Sequence, residues 1–268
     1  MIGISIRSNW DFKKELNSIL DLNLDLCEIQ LDNPIFKFQE HRSKAIKLLN
    51  KLYSTGLQLS FHLSFIDVNI ASLDNSIRDY SSRLLSKEIK FVKKWKPLYI
   101  VVHTGKISET FYNIHSIKER AHKQQFKTLS ELMQITNSYS IPLAIENRQK
   151  SMTVGLIENV NDIHYYNRLF PPLYFLLDLG HLNTFYSNSN KLIEDIESIC
   201  DLPIIAIHLS NNFGKDTHES LETGTILIKE LFSKVQWLRK KYLIIENNSL
   251  KDTMQSLDFL YNKIIGKT

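Results

Sequence analysis

The segment FLLDLGHLN, Phe175–Asn183, contains the pattern on which the fold prediction depends. Its apolar run, Phe175–Leu177, is typical of a parallel strand covered on both faces. The run ends at the acidic residue Asp178, and His181 follows three residues later. A carboxylate and an imidazole directly after a buried strand are both capable of binding a metal ion.

The same arrangement recurs along the chain. Short runs of aliphatic, β-branched or aromatic residues are predicted as strands at Gly3–Ile6, Leu26–Leu31, Leu57–Phe61, Leu98–Val102, Pro142–Ile145, Leu173–Leu177, Ile204–Ile207 and Tyr242–Ile245. The intervening segments are long enough for helices, and a spacing of about 33 residues is that of strand–helix–strand units. We therefore predict an α/β protein with one domain, residues 1–268, folded as a single (β/α)8 TIM barrel.

Composition limits the classes of protein to consider. With 43% apolar and 23% charged residues, the chain is expected to be globular, not disordered. A net charge of +4 is compatible with a phosphate-bearing substrate and is weak evidence for nucleic acid binding. Neither a signal peptide nor an apolar stretch of about 18 residues is visible, which predicts a cytoplasmic protein that does not associate with membranes. Cys27 and Cys200 are expected to be reduced, packed thiols, and no obligate protein partner is evident.

Metal-capable side chains follow six of the predicted strands. These are His62, His103, Glu146, Asp178, His208 and Glu246, and His181, Asp216 and His218 come a few residues after two of them. A single histidine or glutamate after a strand more often has a structural or surface role. The C-terminal ends of barrel strands, however, converge on one mouth, so that this recurrence predicts a cluster.

The residue types in this cluster indicate the metal. Five histidines and four carboxylates offer nitrogen and oxygen ligands without a thiolate, which suits Zn²⁺, Mn²⁺ or Fe²⁺. At about three to four ligands per ion, the nine side chains would hold two or three ions. Four carboxylates in one mouth would repel each other unless cations neutralised them. We predict a divalent metal cluster at the C-terminal mouth, with Zn²⁺ favoured.

At these residues the chain resembles the family of endonuclease IV and the xylose-isomerase-like barrels, grouped as AP endonuclease family 2. The resemblance is carried by FHLSFIDVNIAS at 61–72, VVHTGK at 101–106, LAIEN at 143–147, FLLDLGHLN at 175–183, AIHLSNNFGKDTHESLETG at 206–224 and LIIEN at 243–247. It implies three zinc ions. The implied ligand sets are His62, His103 and the bridging Glu146; Glu146, Asp178, His208 and Glu246; and His181, Asp216 and His218. The chain departs from the endonucleases in lacking a basic residue between Asp216 and His218.

The leading functional prediction is a metal-dependent hydrolase resembling endonuclease IV, which cleaves phosphodiester bonds in duplex DNA at abasic sites. Glu146 and Glu246 are the predicted catalytic residues, and Arg7, Arg148 and Lys215 are predicted to bind the substrate phosphate. The alternative is a sugar or sugar-phosphate isomerase or epimerase, for which the four-ligand set around one ion suffices. An iron-dependent oxidative enzyme and a barrel without catalytic activity are further alternatives.

Two residues near the predicted mouth have alternative interpretations. Phe65 is a bulky apolar residue in the loop after the third strand, and it would either wedge into a DNA stack or cap the barrel. Glu28, inside the second strand, would either orient a metal-binding histidine or pair with Arg7.

Overall fold

The computed structural model describes residues 1–22, 24–37, 41–170 and 173–266. Its strands are β1 Ile2–Ile6, β2 Leu26–Gln30, β3 Gln58–His62, β4 Ile100–His103, β5 Lys106–Ser108, β6 Leu143–Glu146, β7 Thr153–Gly155, β8 Tyr174–Asp178, β9 Ile204–Leu209 and β10 Tyr242–Ile245. Eight of them form a closed parallel barrel in the order β1-β10-β9-β8-β6-β4-β3-β2. The predicted TIM barrel is thereby confirmed.

Helices cover the outside of the barrel. They are α1 Phe12–Leu20, α2 Pro34–Lys37, α3 Arg42–Ser54, α4 Asn75–Val92, α5 Glu109–Tyr112, α6 His115–Asn137, α7 Val160–Leu169, α8 Leu179–Asn183, α9 Ser189–Glu197, α10 Ile228–Lys234 and α11 Leu250–Phe259. Each long helix buries one apolar face, as α4 does with Leu85, Ile89 and Val92. None of the described helices combines the length and apolar character that a membrane span requires.

The barrel interior has two layers. An apolar layer contains Leu26, Tyr99, Val101, Ala144, Leu176, Ala206 and Ile244. Because alternate side chains of a strand point to the same side, the residue two positions after each of five strand members also faces inward. Those residues are His103, Glu146, Asp178, His208 and Glu246. The apolar layer therefore closes the barrel beneath the side chains that were predicted to bind metal.

Two details differ from the expectations. The antiparallel ribbon of β5 and β7 was not predicted, because strands of three residues leave no readable alternation. The two cysteines are free, and Cys27 is buried as expected. Cys200 is exposed and not packed, since it follows α9 on the outer surface.

Candidate metal centre

The nine predicted ligands lie together at the C-terminal ends of the strands. They form three groups, in each of which one potential ligand atom per residue lies within 4.8 Å of the others. The groups are His62, His103 and Glu146; Glu146, Asp178, His208 and Glu246; and His181, Asp216 and His218. This grouping matches the ligand sets that the family resemblance implied.

Glu146, the last residue of β6, connects two of the groups. Its Oε2 lies 2.8 Å from His62 Nε2 and 3.1 Å from His103 Nε2. Its Oε1 lies 3.1 Å from His208 Nδ1. The two carboxylate oxygens therefore face different groups, which is the geometry of a carboxylate that bridges two ions.

The four-residue group is built by adjacent strands of the barrel. Its members end β6 and β8, lie in β9 or directly follow β10, and His208 pairs in register with Asp178. His208 Nδ1 lies 3.1 Å from Glu246 Oε2 and 3.5 Å from Asp178 Oδ2. All four residues are buried, so the sheet holds their side chains in place and away from solvent.

The third group depends on loop structure. His181 lies in α8, whose first turn is capped by Asp178 through a 2.7 Å hydrogen bond from the His181 backbone N–H. Asp216 and His218 lie in the connection between β9 and α10. Asp216 Oδ2 is 3.5 Å from His181 Nε2, and Asp216 Oδ1 is 3.1 Å from His218 Nε2. His218 has a φ of 48°, a left-handed conformation that costs a non-glycine residue free energy.

Four of the five histidines use their other ring nitrogen to contact an acceptor. The contacts are His62 Nδ1 to Leu63 O at 2.8 Å, His181 Nδ1 to Asn147 O at 2.8 Å, His218 Nδ1 to Glu246 O at 3.2 Å and His208 Nε2 to Glu28 Oε1 at 2.8 Å. A carbonyl oxygen only accepts hydrogen bonds, so the nitrogen that contacts it carries the proton. The nitrogen facing the cluster is then available as a ligand, as in most protein metal sites.

These contacts decide between the alternatives for Glu28. Its side chain is buried and contacts His208, whereas Arg7 donates a 2.8 Å hydrogen bond to Asn248 Oδ1 and lies 3.9 Å from Glu246 Oε1. Glu28 therefore orients a histidine of the cluster.

The charges of the cluster fit bound cations. Asp178 is fully buried, its Oδ2 has no hydrogen-bond partner among the described residues, and burial raises the pKa of this carboxyl. Burial also acts to raise the pKa of Glu146, but the charges of His103 and His208 outweigh it and hold that pKa well below its usual range. Ionised carboxylates this close together need positive charge between them, and the donor set suits divalent ions.

In the metal-free cluster that positive charge comes from protonated imidazoles. Burial disfavours the charged form of His62, yet its hydrogen bond to Glu146 and the negative charges of Glu146 and Glu28 raise its pKa to about 9. Burial likewise opposes protonation of His181, but Asp178 and Asp216 raise its pKa to about 10. Metal ions would therefore replace protons when they bind.

A cavity of about 340 Å³ opens above the cluster. Arg7 and Arg148, two of the predicted phosphate-binding residues, line it, as does Lys106. The third, Lys215, is exposed beside Asp216 and is not among the cavity-lining residues.

The loop after β3 closes one side of this cavity. The centroid of the Phe65 ring lies 5.3 Å from that of His62 and 4.8 Å from that of His103. Phe65 thus caps these two histidines, while its neighbour Ile66 is 50% exposed at the rim.

Gln30 contacts the site but was not among the predicted residues. Its Nε2 donates a 2.5 Å hydrogen bond to Glu246 Oε1, and its own Oε1 accepts from the Ser8 N–H at 2.9 Å. Gln30 ends β2 and pairs in register with His62, so its position at the end of a strand is the signal in the sequence that indicates a place at the mouth.

The fold and the site together define an α/β barrel whose strand ends carry histidines and carboxylates in metal-binding arrangements. The chain belongs to the family of xylose isomerase-like TIM barrels, AP endonuclease family 2, whose profile matches residues 16–263. The resemblance predicted from the sequence is thereby confirmed.

The individual proteins that are similar to this chain have different descriptions. An uncharacterised protein of Methanocaldococcus jannaschii is 28% identical over 263 residues, which covers 94% of this chain and 85% of that relative. A D-tagatose 3-epimerase-like protein is similar in structure, with a TM-score of 0.80, 22% identity and coverage of 97% of this chain and 95% of that chain. Endonuclease IV from Thermus thermophilus has a TM-score of 0.68 and 16% identity, with 96% of each chain covered. Structural likeness at such identities shows a common fold, and both types of enzyme have it.

Proposed function

We propose that this protein is a divalent-metal-dependent hydrolase that cleaves phosphodiester bonds, with DNA containing abasic sites as the substrate class. One observation carries the proposal. The group of His181, Asp216 and His218 is assembled in addition to the four-residue group, and an isomerase with one ion has no need of it. The similarity of the fold to that of endonuclease IV supports the same function.

The three groups would hold three ions, with Zn²⁺ favoured and Mn²⁺ or Fe²⁺ compatible with the same donors. Divalent ions at such sites activate water near neutral pH, neutralise phosphate charge and stabilise the leaving oxygen. Glu146 would belong to two sets at once, because its oxygens face different groups.

The other residues of the mouth would position the substrate. Arg7 and Arg148 line the cavity and would neutralise phosphate groups of the substrate. Glu246 is held by Gln30 and faces His208, which fixes the carboxylate at the cavity floor. Phe65 would keep bulk water from the side of His62 and His103. Lys215 lies on the exposed loop and would contact the extended backbone of a polyanion.

A sugar epimerase is the second candidate, and a different observation favours it. Glu146 and Glu246 each lie 3.1 Å from His208 Nδ1, so that two carboxylates flank one ligand position, as a proton-transfer pair would. A cavity of about 340 Å³ accommodates one sugar unit. Several similar structures are described as 3-epimerases of ketohexoses or of L-ribulose.

Incision of a duplex oligonucleotide with one abasic site tests the proposal. Protein loaded with Zn²⁺ or Mn²⁺ is compared with Glu146→Gln and with Glu197→Gln, which changes an exposed carboxylate on α9. We expect incision 5′ to the lesion by the wild type and by Glu197→Gln, and none by Glu146→Gln. Absence of incision by fully metal-loaded wild type would contradict the hydrolase, and conversion of D-psicose or D-tagatose by the same preparation would then support the epimerase.

A further inference from the structure

The ribbon of β5 and β7 brings two cationic residues to one wall of the cavity. Lys106 of β5 lies opposite Gly155 of β7 in the antiparallel register. The stem of Arg148 packs over the same glycine, since a Cβ on Gly155 would lie 3.0 Å from Arg148 Cβ and 3.2 Å from its Cδ. Gly155 thus leaves the space that Arg148 fills beside Lys106, and both residues line the cavity.

The backbone at both cations is fixed by hydrogen bonds. The side chain of Asn69 accepts from the Lys106 N–H at 3.0 Å and donates to the Lys106 carbonyl at 2.9 Å. The Arg148 N–H donates to Ile157 O at 2.9 Å. This wall is therefore held in place before any ligand arrives, which favours specific binding.

Carboxylates act on the two cationic groups only from longer distances, Glu146, Glu158 and Asp216 on Arg148 and Asp67 on Lys106. In the described ranges neither Lys106 nor Arg148 forms a salt bridge within 4.0 Å, and the buried Nε of Arg148 has no hydrogen-bond acceptor. Arg7, across the cavity, differs because it is already held by Asn248 and Glu246. Burial and the nearby charge of Arg148 both lower the pKa of Lys106. Two partly desolvated cations side by side are costly unless an anion joins them.

We propose that Lys106 and Arg148 form a binding subsite for a substrate phosphate that is separate from the group held at the metal centre. A planar guanidinium with several N–H donors and a mobile ammonium together suit a tetrahedral phosphate. The phosphate would be either the terminal monoester of a small sugar phosphate or a neighbouring phosphodiester of a polynucleotide. This inference depends on the proposed function in one respect: the phosphate must belong to the substrate that binds in the same cavity.

Calorimetric binding to the metal-loaded protein separates the two sources of phosphate. One pair of probes is D-ribose and D-ribose 5-phosphate. The other is an oligonucleotide with one abasic site, carrying either a normal phosphodiester or an uncharged methylphosphonate next to the lesion. In the wild type we expect the charged member of at least one pair to bind more tightly by roughly 10- to 100-fold, as charged hydrogen bonds allow.

The double variant Lys106→Gln/Arg148→Gln should lose most of that difference. The matched control Arg83→Gln/Lys90→Gln removes two charges from exposed positions on α4 and should keep it. Gly155→Ala retains both charges but displaces the Arg148 stem, and it should lose part of the difference while its circular dichroism spectrum stays that of the wild type.

Each outcome bears on the subsite. A loss confined to ribose 5-phosphate identifies a phosphomonoester, and one confined to the oligonucleotide identifies a backbone phosphate. Equal charge dependence in the wild type and the double variant, or none in the wild type, overturns the subsite. Because D-ribose and D-ribose 5-phosphate contain no phosphodiester to cleave, a failed hydrolase proposal leaves their binding result unaffected.

Discussion

Two regions of the mouth are built in different ways. We call Glu146, Asp178, His208 and Glu246 the strand-end group and His181, Asp216 and His218 the loop group. The strand-end group lies on or directly after the adjacent strands β6, β8, β9 and β10, and its members are all buried. The loop group takes one residue from α8 and two from the connection after β9, where Asp216 is only partly buried and His218 has a positive φ.

The difference separates what the barrel supplies from what the loops add. Sheet register places the strand-end group, so that a similar arrangement is available to any chain with these residues at the strand ends. The loop group exists only because one loop and one short helix have particular conformations. On our account the strand-end group is the general metal site, and the loop group specifies phosphodiester hydrolysis.

The largest effect is expected for the residue that joins the strand-end group to His62 and His103. Glu146→Gln replaces a bridging carboxylate by a neutral amide, and incision should fall by roughly 10³-fold, as when a major electrostatic contact is lost. Circular dichroism should remain that of the wild type. Incision close to the wild-type rate would contradict the bridging role.

His181→Ala isolates the loop group, since it leaves every member of the strand-end group in place. We expect incision to fall by about 10²-fold, because one ion and its charge are removed from the reacting phosphate. Any epimerisation of D-psicose should be little changed. An incision rate that does not respond would mean that the loop group has no part in hydrolysis.

A smaller effect is expected for Glu28, which contacts His208 of the strand-end group. Glu28→Gln keeps the shape of the side chain that contacts His208 Nε2 but removes its charge. Zn²⁺ affinity should fall by about 10-fold, at the low end for residues that orient ligands. Tyr99→Phe is the matched control, because it removes a buried hydroxyl near Glu28 without altering a ligand. Equal affinities in the two variants would argue against the orienting role.

The smallest effect is proton release when metal binds. The folded-state pKa values of His62 and His181 are raised from 6.5 to about 9 and about 10, so both imidazoles hold protons at pH 7.5. Despite burial, the pKa of His208 is also raised well above its usual value by Glu246, Glu28 and Glu146, so Zn²⁺ binding at that pH should release protons from all three imidazoles, and fewer at pH 10.5, as ligands must lose theirs. Calorimetry in buffers of different ionisation enthalpy measures this, and heats independent of the buffer at pH 7.5 would contradict it.

The same pKa values give a linked effect on stability. A raised folded-state pKa stabilises the protein below the unfolded value near 6.5, and this contribution is lost as the pH rises through about 9 to 10. The metal-free protein should therefore become less stable to urea between pH 7 and pH 10. An unchanged urea midpoint over this range would mean that these protons do not stabilise the fold.

The sequence was most informative where the regular barrel decides the structure. The run Tyr242–Ile245 was predicted with the bounds that β10 has, and the side chains after it and its neighbours converge because parallel strands end at one mouth. The C-terminal end of a strand could be predicted because an apolar run stops there. Contacts between helices could not be predicted in this way: His122 of α6 contacts Tyr166 Oη of α7 at 2.7 Å, and no local pattern in the sequence indicates that contact.

The conformation of the loops could not be predicted from the sequence. The outward position of Lys215 and the inward position of Lys106 depend on how the β9 connection and the ribbon fold, and neither segment has a periodic pattern. The role of Gly155 follows only from the three-dimensional structure, in which the side chain of Arg148 packs over this residue.

Metal stoichiometry tests the central claim, that the loop group adds an ion to the site of the strand-end group. Protein reconstituted with Zn²⁺ and freed of excess metal is analysed by mass spectrometry of the elements, beside His181→Ala. We predict about three ions per chain in the wild type and about two in the variant, at three to four ligands per ion. About one ion per chain in both proteins would contradict the claim and leave the strand-end group as the only metal site.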